Sequence, residues 1–142
     1  MKTIIFLILF PILLYPQEEF QSKGIQDEIP KSSPIEQFLG NYSVNESCCL
    51  GKDSYSMSIE KIDIERNTIQ LKGIFYFTID LTATVFDDQI IIEPQVVDEV
   101  IYSGKGTFYN NTLTIHLKLI DTVLGMSDKC IISGASNDVE RV

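Results

Sequence analysis

A chain of 142 residues with 44% hydrophobic content has room for one domain and a core of its own. Its 20 acidic residues against 11 basic ones leave a formal charge of -9, which argues against nucleic acid and against an anionic membrane surface as partners. Three cysteines and a single histidine are too few and too scattered for an ordinary zinc set.

Lys2 is followed by an apolar run from Ile4 to Leu14, interrupted by Pro11. A basic residue ahead of a short apolar segment reads as a secretory signal peptide, residues 1–16, and the run is shorter than the ~20 apolar residues that span a bilayer. No small-x-small pattern stands near Tyr15, Pro16 and Gln17 to mark a cut, and no cysteine follows to carry a lipid anchor. The expected location is therefore secreted, periplasmic or at the cell surface. From Gln17 to Glu36 the chain turns to Gln, Glu, Ser, Lys and Pro, with Pro30 and Pro34 bracketing Lys31 to Ser33. That composition is a flexible spacer, residues 17–36, with Ile35 to Leu39 as one helical turn leading into the domain, residues 37–134.

Strands follow in succession. Tyr42, Val44 and Glu46 alternate with Ser43 and Asn45. Tyr55, Met57 and Ile59 alternate with serines, and a bulge near Glu60 and Lys61 would let Ile62 and Ile64 carry the apolar face onward. Ile69 and Leu71 form a third strand that ends at Gly73. Phe77, Ile79, Leu81, Ala83 and Val85 form a fourth, and Gln89 to Ile92 a fifth that Pro94 stops, since a central strand needs its N–H donors.

The segment from Tyr102 to Ile120 is the strongest signal. Two alternating runs meet at Asn110-Asn111, and a two-residue hairpin turn needs positive φ at both central positions, which Asn tolerates. This sets the register. Phe108 faces Leu113, Gly106 faces Ile115, Gly104 faces Leu117 and Tyr102 faces Leu119 on the apolar side. Thr107 faces Thr114, Lys105 faces His116 and Ser103 faces Lys118 on the wet side. Gly104 and Gly106 sit inside a strand with no helix behind them, so they serve a sheet bend or a close approach rather than a phosphate loop. Lys129 to Ser133 make the last strand, and residues 135–142 form a polar tail.

The count is about eight short strands joined by tight turns, with no helical period after Gly40. The fold class is all-β, a small antiparallel up-and-down barrel. In a secreted chain Cys130 is expected to pair with Cys48, Cys49 being the alternative partner, since neighbouring cysteines bridge each other poorly. One thiol is left over. The two cysteine regions lie at the end of the first strand and in the last one, the two edges that a barrel brings together.

Gly40-x-Tyr42-x-Val44-x-Glu46-x-Cys48, Tyr55-x-Met57-x-Ile59, Gly104-x-Gly106-x-Phe108, Asn111-Thr112-Leu113-x-Ile115 and the late Cys130 together resemble the small lipocalin-like secreted barrels common in Bacteroidota. The resemblance runs from Phe38 to Gly134. It implies a compact calycin-type barrel outside the cytoplasm and no established activity. Tyr42 stands where lipocalins carry Trp, and the strands are shorter than theirs. Given a bacterial source, the glycosylation-type triplets at Asn41, Asn45 and Asn110 read as strand and turn polarity.

The chemistry-bearing residues are sparse. His116, on the wet face beside Lys105, lacks the positioned partner that a general base needs. Asp80, Asp87, Asp88, Glu93, Asp98 and Glu99 do not follow a calcium-loop spacing and read as a solvated acidic rim. No nucleophile motif is present. The expectation is a non-enzymatic module without cofactor or metal, binding a small apolar ligand in the barrel or a protein partner on its surface. Tyr42, Met57, Phe77, Tyr102, Phe108 and Ile115 are the candidate ligand- or core-lining residues. If the bulky inward side chains fill the barrel, the alternative gains: a protein-interaction or structural module, inhibitors included, for which the apolar residues of Val96 to Val100 and Ile120 to Met126 are the candidate contact surface.

Overall fold

Eight antiparallel strands run in chain order and close into a barrel: β1 (Gly40–Cys48), β2 (Gly51–Asp63), β3 (Thr68–Gly73), β4 (Ile79–Phe86), β5 (Gln89–Val97), β6 (Val100–Tyr109), β7 (Thr112–Asp121) and β8 (Ser127–Ser136). Closure comes from β8 returning to pair with β1, from Tyr42 opposite Ser136 to Ser47 opposite Ile131. The computed structural model describes residues 33–77 and 79–138, with the side chains of 76 and 77 outside that description. These residues belong to one unit, Ser32–Val142. The expected signal peptide, the expected spacer up to residue 32 and residues 139–142 of the expected tail lie outside the described residues.

The β6–β7 hairpin has the expected register at every position named above. Asn110 and Asn111 take φ of 48° and 61°, the left-handed pair that a tight hairpin turn requires. The same device recurs at Asp98 and Glu99 between β5 and β6, with φ of 47° and 67°.

Alternation then decides the inside and the outside. Along β1, Tyr42 and Val44 are buried while Asn41, Ser43 and Asn45 are exposed, and β4 buries Leu81, Ala83 and Val85 between Thr82 and Thr84. Along these two strands apolar side chains point inward and polar ones outward, Glu46 and Phe86 excepted. A barrel that spans a bilayer has the opposite arrangement, with an apolar band facing lipid. No helix among the described residues is long and apolar enough to cross a membrane.

Four local expectations give way to the tertiary structure. The chain between β3 and β4 forms a short helix, α1 (Ile74–Phe77), so β4 begins at Ile79 and Phe77 belongs to the helix rather than the strand. Pro94 does not end β5: a register shift between Ile92 and Gln95 absorbs the proline and the strand resumes to Val97. The bulge in β2 falls between Lys61 and Asp63, but Ile62 and Ile64 remain about half exposed beyond the barrel end instead of continuing the core. β8 runs past Gly134 to Ser136, and the Asn137 N–H donates to the Asn41 carbonyl, so the first residues of the expected tail finish the closure.

One end of the barrel is plugged. The turn after Ser33 is fixed by the Phe38 N–H donating to the Ile35 carbonyl, and both side chains are fully buried in the core. The Tyr42 hydroxyl donates to the Phe38 carbonyl at 2.8 Å. Phe38 and Tyr42 each meet the Phe108 ring edge-on, at 6.2 and 6.3 Å between centroids. The packed core therefore reaches back to Ile35, inside the expected spacer, while the strands of the barrel begin at Gly40.

Candidate functional site

The residues expected to line a ligand site form a packed core. Tyr42 and Ile115 have no exposed surface, and Met57 and Tyr102 almost none. Phe108 is half-buried and packs on that core at the plugged end. Phe77 ends α1, and its side chain lies outside the described residues. Side chains without accessible surface border no water-sized void, so the middle of the barrel is filled. Tyr42 and Phe108 are brought together at the plugged end, whereas Tyr102 sits near the other end, its ring 6.3 Å from Phe75. Phe75 holds a φ of 53°, which a bulky side chain rarely adopts, and the helical turn closes part of this second end around it.

The polar chemistry is also at the second end. Glu46 occupies an inward position of β1, and its Oε2 accepts a 2.7 Å hydrogen bond from the Tyr55 hydroxyl. Burial raises the Glu46 carboxyl above its ordinary range, Tyr55 pulls it back and the nearby Asp53 charge adds to the rise. Burial and the hydrogen bond to Glu46 raise the Tyr55 hydroxyl in turn, with a backbone contact to Phe75 pulling the other way. Cys48 and Cys130 form the disulfide that joins β1 to β8. Their sulfurs and a Glu46 oxygen lie within 4.8 Å of one another, but sulfurs bonded to each other offer no thiolate to a metal. Asp80, Asp87, Asp88, Glu93, Asp98 and Glu99 are all exposed, and they do not converge into a ligand set. His116 is exposed opposite Lys105, as its register requires.

Beyond the polar pair the second end is apolar and open. Leu50, at the tip of the β1–β2 turn, is 92% exposed, and Leu124 in the β7–β8 loop is 70% exposed; Val123 and Met126 stand out beside it. Between them runs a groove of about 400 Å³ that dips toward Val100 and Leu119 and carries Asp121 and Asp128 on its rim. The loop is built to hold this shape. Asp121 Oδ1 accepts the N–H groups of Val123 and Leu124 at 2.9 and 2.8 Å, and Gly125 takes a φ of 66° to turn back. Thr122 ties the loop to the β5–β6 turn by donating its N–H and its hydroxyl to the Glu99 carbonyl. The free cysteine Cys49 is exposed at the groove edge. Asp128 accepts its N–H, and hydrogen bonding from the Cys49 thiol holds the Asp128 carboxyl below the usual range.

The apolar residues of Ile120 to Met126 were legible in the sequence as side chains beyond the regular strands, and Val123, Leu124 and Met126 are exposed there. Leu50 was not legible in this way: it follows two cysteines and precedes turn residues, and its one signal is an aliphatic side chain at a turn tip. Glu46 and Tyr55 each show in the strand pattern, but their pairing depends on β1–β2 register.

No family model matches the chain, and no curated protein matches it. Among solved structures it is similar to a protein of Bacteroides fragilis described as a "putative outer membrane protein", at 14% identity and a TM-score of 0.47 over 73% of this chain. The chain spans 53% of that protein's length. At that level the likeness carries no argument; the barrel stands on its own strand pairing.

Proposed function

We propose that this chain is a non-enzymatic binding module that works outside the cytoplasm and engages a protein partner through the open loop end of its barrel. The observation that carries this reading is the combination of a filled interior with exposed Leu50, Val123, Leu124 and Met126 at one end. Exposed aliphatic side chains held on a fixed loop are unfavourable in water and favourable in an interface. The Cys48–Cys130 bond supports an oxidising compartment, as does the apolar run after Lys2. The lipocalin-like resemblance supports the compartment and the barrel; its usual small apolar ligand would need a cavity where Tyr42, Met57 and Ile115 now pack. Two reserves of reactivity are engaged otherwise: Glu46 is held by Tyr55, and two of three cysteines are joined.

Native mass spectrometry of the full chain from its host's secreted fraction, followed by solvent extraction, tests the reading. A bare chain, or one arriving with a second polypeptide that Leu124→Asp releases, is the expected result. A stoichiometric small molecule would overturn it in favour of a carrier.

A further inference from the structure

The outer wall of the barrel divides by charge. Every outward-facing position of β1, β8, β7 and β6 is Ser, Thr, Asn, Lys, His or an uncharged apolar or aromatic residue; none is Asp or Glu. In a chain with 20 acidic residues this is a marked segregation. The acids of the wall stand elsewhere, at Glu60, Asp80 and Glu93 and in the turns next to them. Register draws Lys52, at the β2 edge of this wall, into a row with His116 and Lys105. Lys52 faces Ser47, Ser47 faces Ile131, Ile131 faces His116 and His116 faces Lys105. One step toward the open end Lys118 faces Lys129 directly. Ion pairs among the described residues join Arg66 to Asp63 and Lys72 to Glu60, so none of Lys52, Lys105, Lys118 and Lys129 is in contact with a carboxylate.

Like charges directly opposite each other across a strand pair destabilise a sheet. Lys118 and Lys129 retain that arrangement in a protein rich in carboxylates. The surface between the long side chains is depressed, because Ser47, Ser133 and Asn45 are short. Two hollows of about 560 and 640 Å³ meet at Ile131 and Ser47 and together form a shallow trough. Two carboxylates border its Lys52 end: Glu46 is half-buried and held by the Tyr55 hydroxyl, whereas Asp53 is exposed and accepts the Ser54 N–H, so the cationic stretch of the trough is the Lys118–Lys129 end. Across the four strand intervals from Lys52 to Lys105 the row measures roughly 19 Å at ~4.8 Å per interval.

We propose that this trough binds an acidic polysaccharide, with Lys118, Lys129 and Lys52 on its carboxylate, sulfate or phosphate groups and the Ser and Asn side chains on its hydroxyls. The occupant follows from what the wall offers. A closed barrel has no free strand edge, so an acidic peptide has no backbone ladder to join. The trough holds no aromatic platform for nucleobases; Tyr109 stands beyond it at the tip of β6. The trough sets cations and hydroxyl groups around one exposed aliphatic side chain, Ile131, which is less than the continuous apolar face that enters a lipid headgroup layer. The overall negative charge does not prevent local attraction, because at 0.15 M salt charges are screened beyond about 8 Å. This site borders the loop-end groove at Cys49, but Leu124 is not part of it.

Fluorescently labelled polygalacturonate and chondroitin sulfate, titrated with the full chain at 0.15 M salt, test the proposal against dextran, polyglutamate and vesicles containing one-third phosphatidylglycerol. Saturable binding of an acidic polysaccharide is expected, with dextran silent and polyglutamate at least tenfold weaker. Lys118→Glu should weaken binding tenfold or more while the melting temperature holds or rises, because opposite charges then face each other across β7 and β8. Lys129→Gln serves as the milder variant should the first fail to fold, with several-fold weaker binding. No polysaccharide binding, binding unchanged by both variants, equal binding of polyglutamate, or preference for the vesicles would overturn the proposal. Retained polysaccharide binding in Leu124→Asp keeps the outcome separate from that of the loop-end reading.

Discussion

Gly134 and Gly106 both occupy inward positions, yet they are not equivalent. A Cβ at Gly134 would collide with the Ser43 carbonyl oxygen across the closing seam, so backbone must move. A Cβ at Gly106 would lie 3.1 Å from Ile115 Cγ1 and 3.4 Å from Ile90 Cβ and the Thr114 carbonyl oxygen, so the tightest neighbour is a side-chain atom that need give by only a few tenths of an ångström. Gly134→Ala should therefore cost stability at the upper end of the ~1–3 kcal/mol that overpacking takes, and Gly106→Ala at the lower end. Urea titration of both variants checks the order; equal losses would mean that the seam relaxes as freely as the core. Glu46 carries a second prediction. Because its folded-state carboxyl is raised by burial, the folded protein holds that proton more tightly than the unfolded chain does. The stability this gives is present at acid pH below the unfolded value and is lost as pH rises through the folded one. Glu46→Gln, which keeps an acceptor for Tyr55, should raise the melting temperature at pH 7 relative to wild type and show less change, or none, at pH 4. A gain at pH 4 that equals the gain at pH 7 would exclude ionisation as the cause.

Among the elements, β4 and β5 make the shortest ladder, three pairs from Thr84 opposite Ile91 to Phe86 opposite Gln89. Past Pro94 the two strands are joined by a side chain. Gln95 Oε1 accepts the Thr82 N–H at 2.9 Å, and Gln95 Nε2 donates to the Thr82 carbonyl at 2.7 Å. The side-chain amide thus makes both bonds that a strand residue's peptide groups would make. Gln95→Leu should destabilise by about 1 kcal/mol, since water reaches this exposed seam and replaces part of the loss. Amide exchange at Thr82 should accelerate in the same variant, and an unchanged rate would show that the ladder holds without the bridge. The β7–β8 loop makes a different prediction. Its apolar side chains are exposed and its shape rests on Asp121, so Leu124→Asp should leave the melting temperature within about 1 °C while partner binding is lost.

At the scale of the molecule, closure is secured twice, by the β1–β8 ladder and by the disulfide across it. The cysteines lie 82 residues apart, and the chain-entropy model assigns such a loop roughly 4–5 kcal/mol of restraint on the unfolded state. Replacing both Cys48 and Cys130 by Ser should cost about 2–5 kcal/mol in urea titration. A loss below about 1 kcal/mol would mean that the hydrogen-bonded seam already sets the stability of closure. Intact-mass analysis with and without reduction should show a gain of two hydrogens, with Cys49 alkylated before reduction.

The sequence by itself determined the all-β class, the eight-strand meander and the hairpin register. Those are local matters: alternation assigns a face to each residue, and Asn110-Asn111 admits one turn geometry. It also marked the apolar loop after Ile120. Tertiary structure decided the rest, because the rest depends on which strands meet. Pairing of β1 with β8 selected Cys48 over Cys49 as the partner of Cys130, since an inward position on β1 faces an inward position on β8. Packing of Phe38 against Phe108, with Ile35 buried in the same core, turned the end of an expected spacer into a plug. Lys52 comes from β2, His116 and Lys118 from β7 and Lys129 from β8, and only closure lays them along one wall.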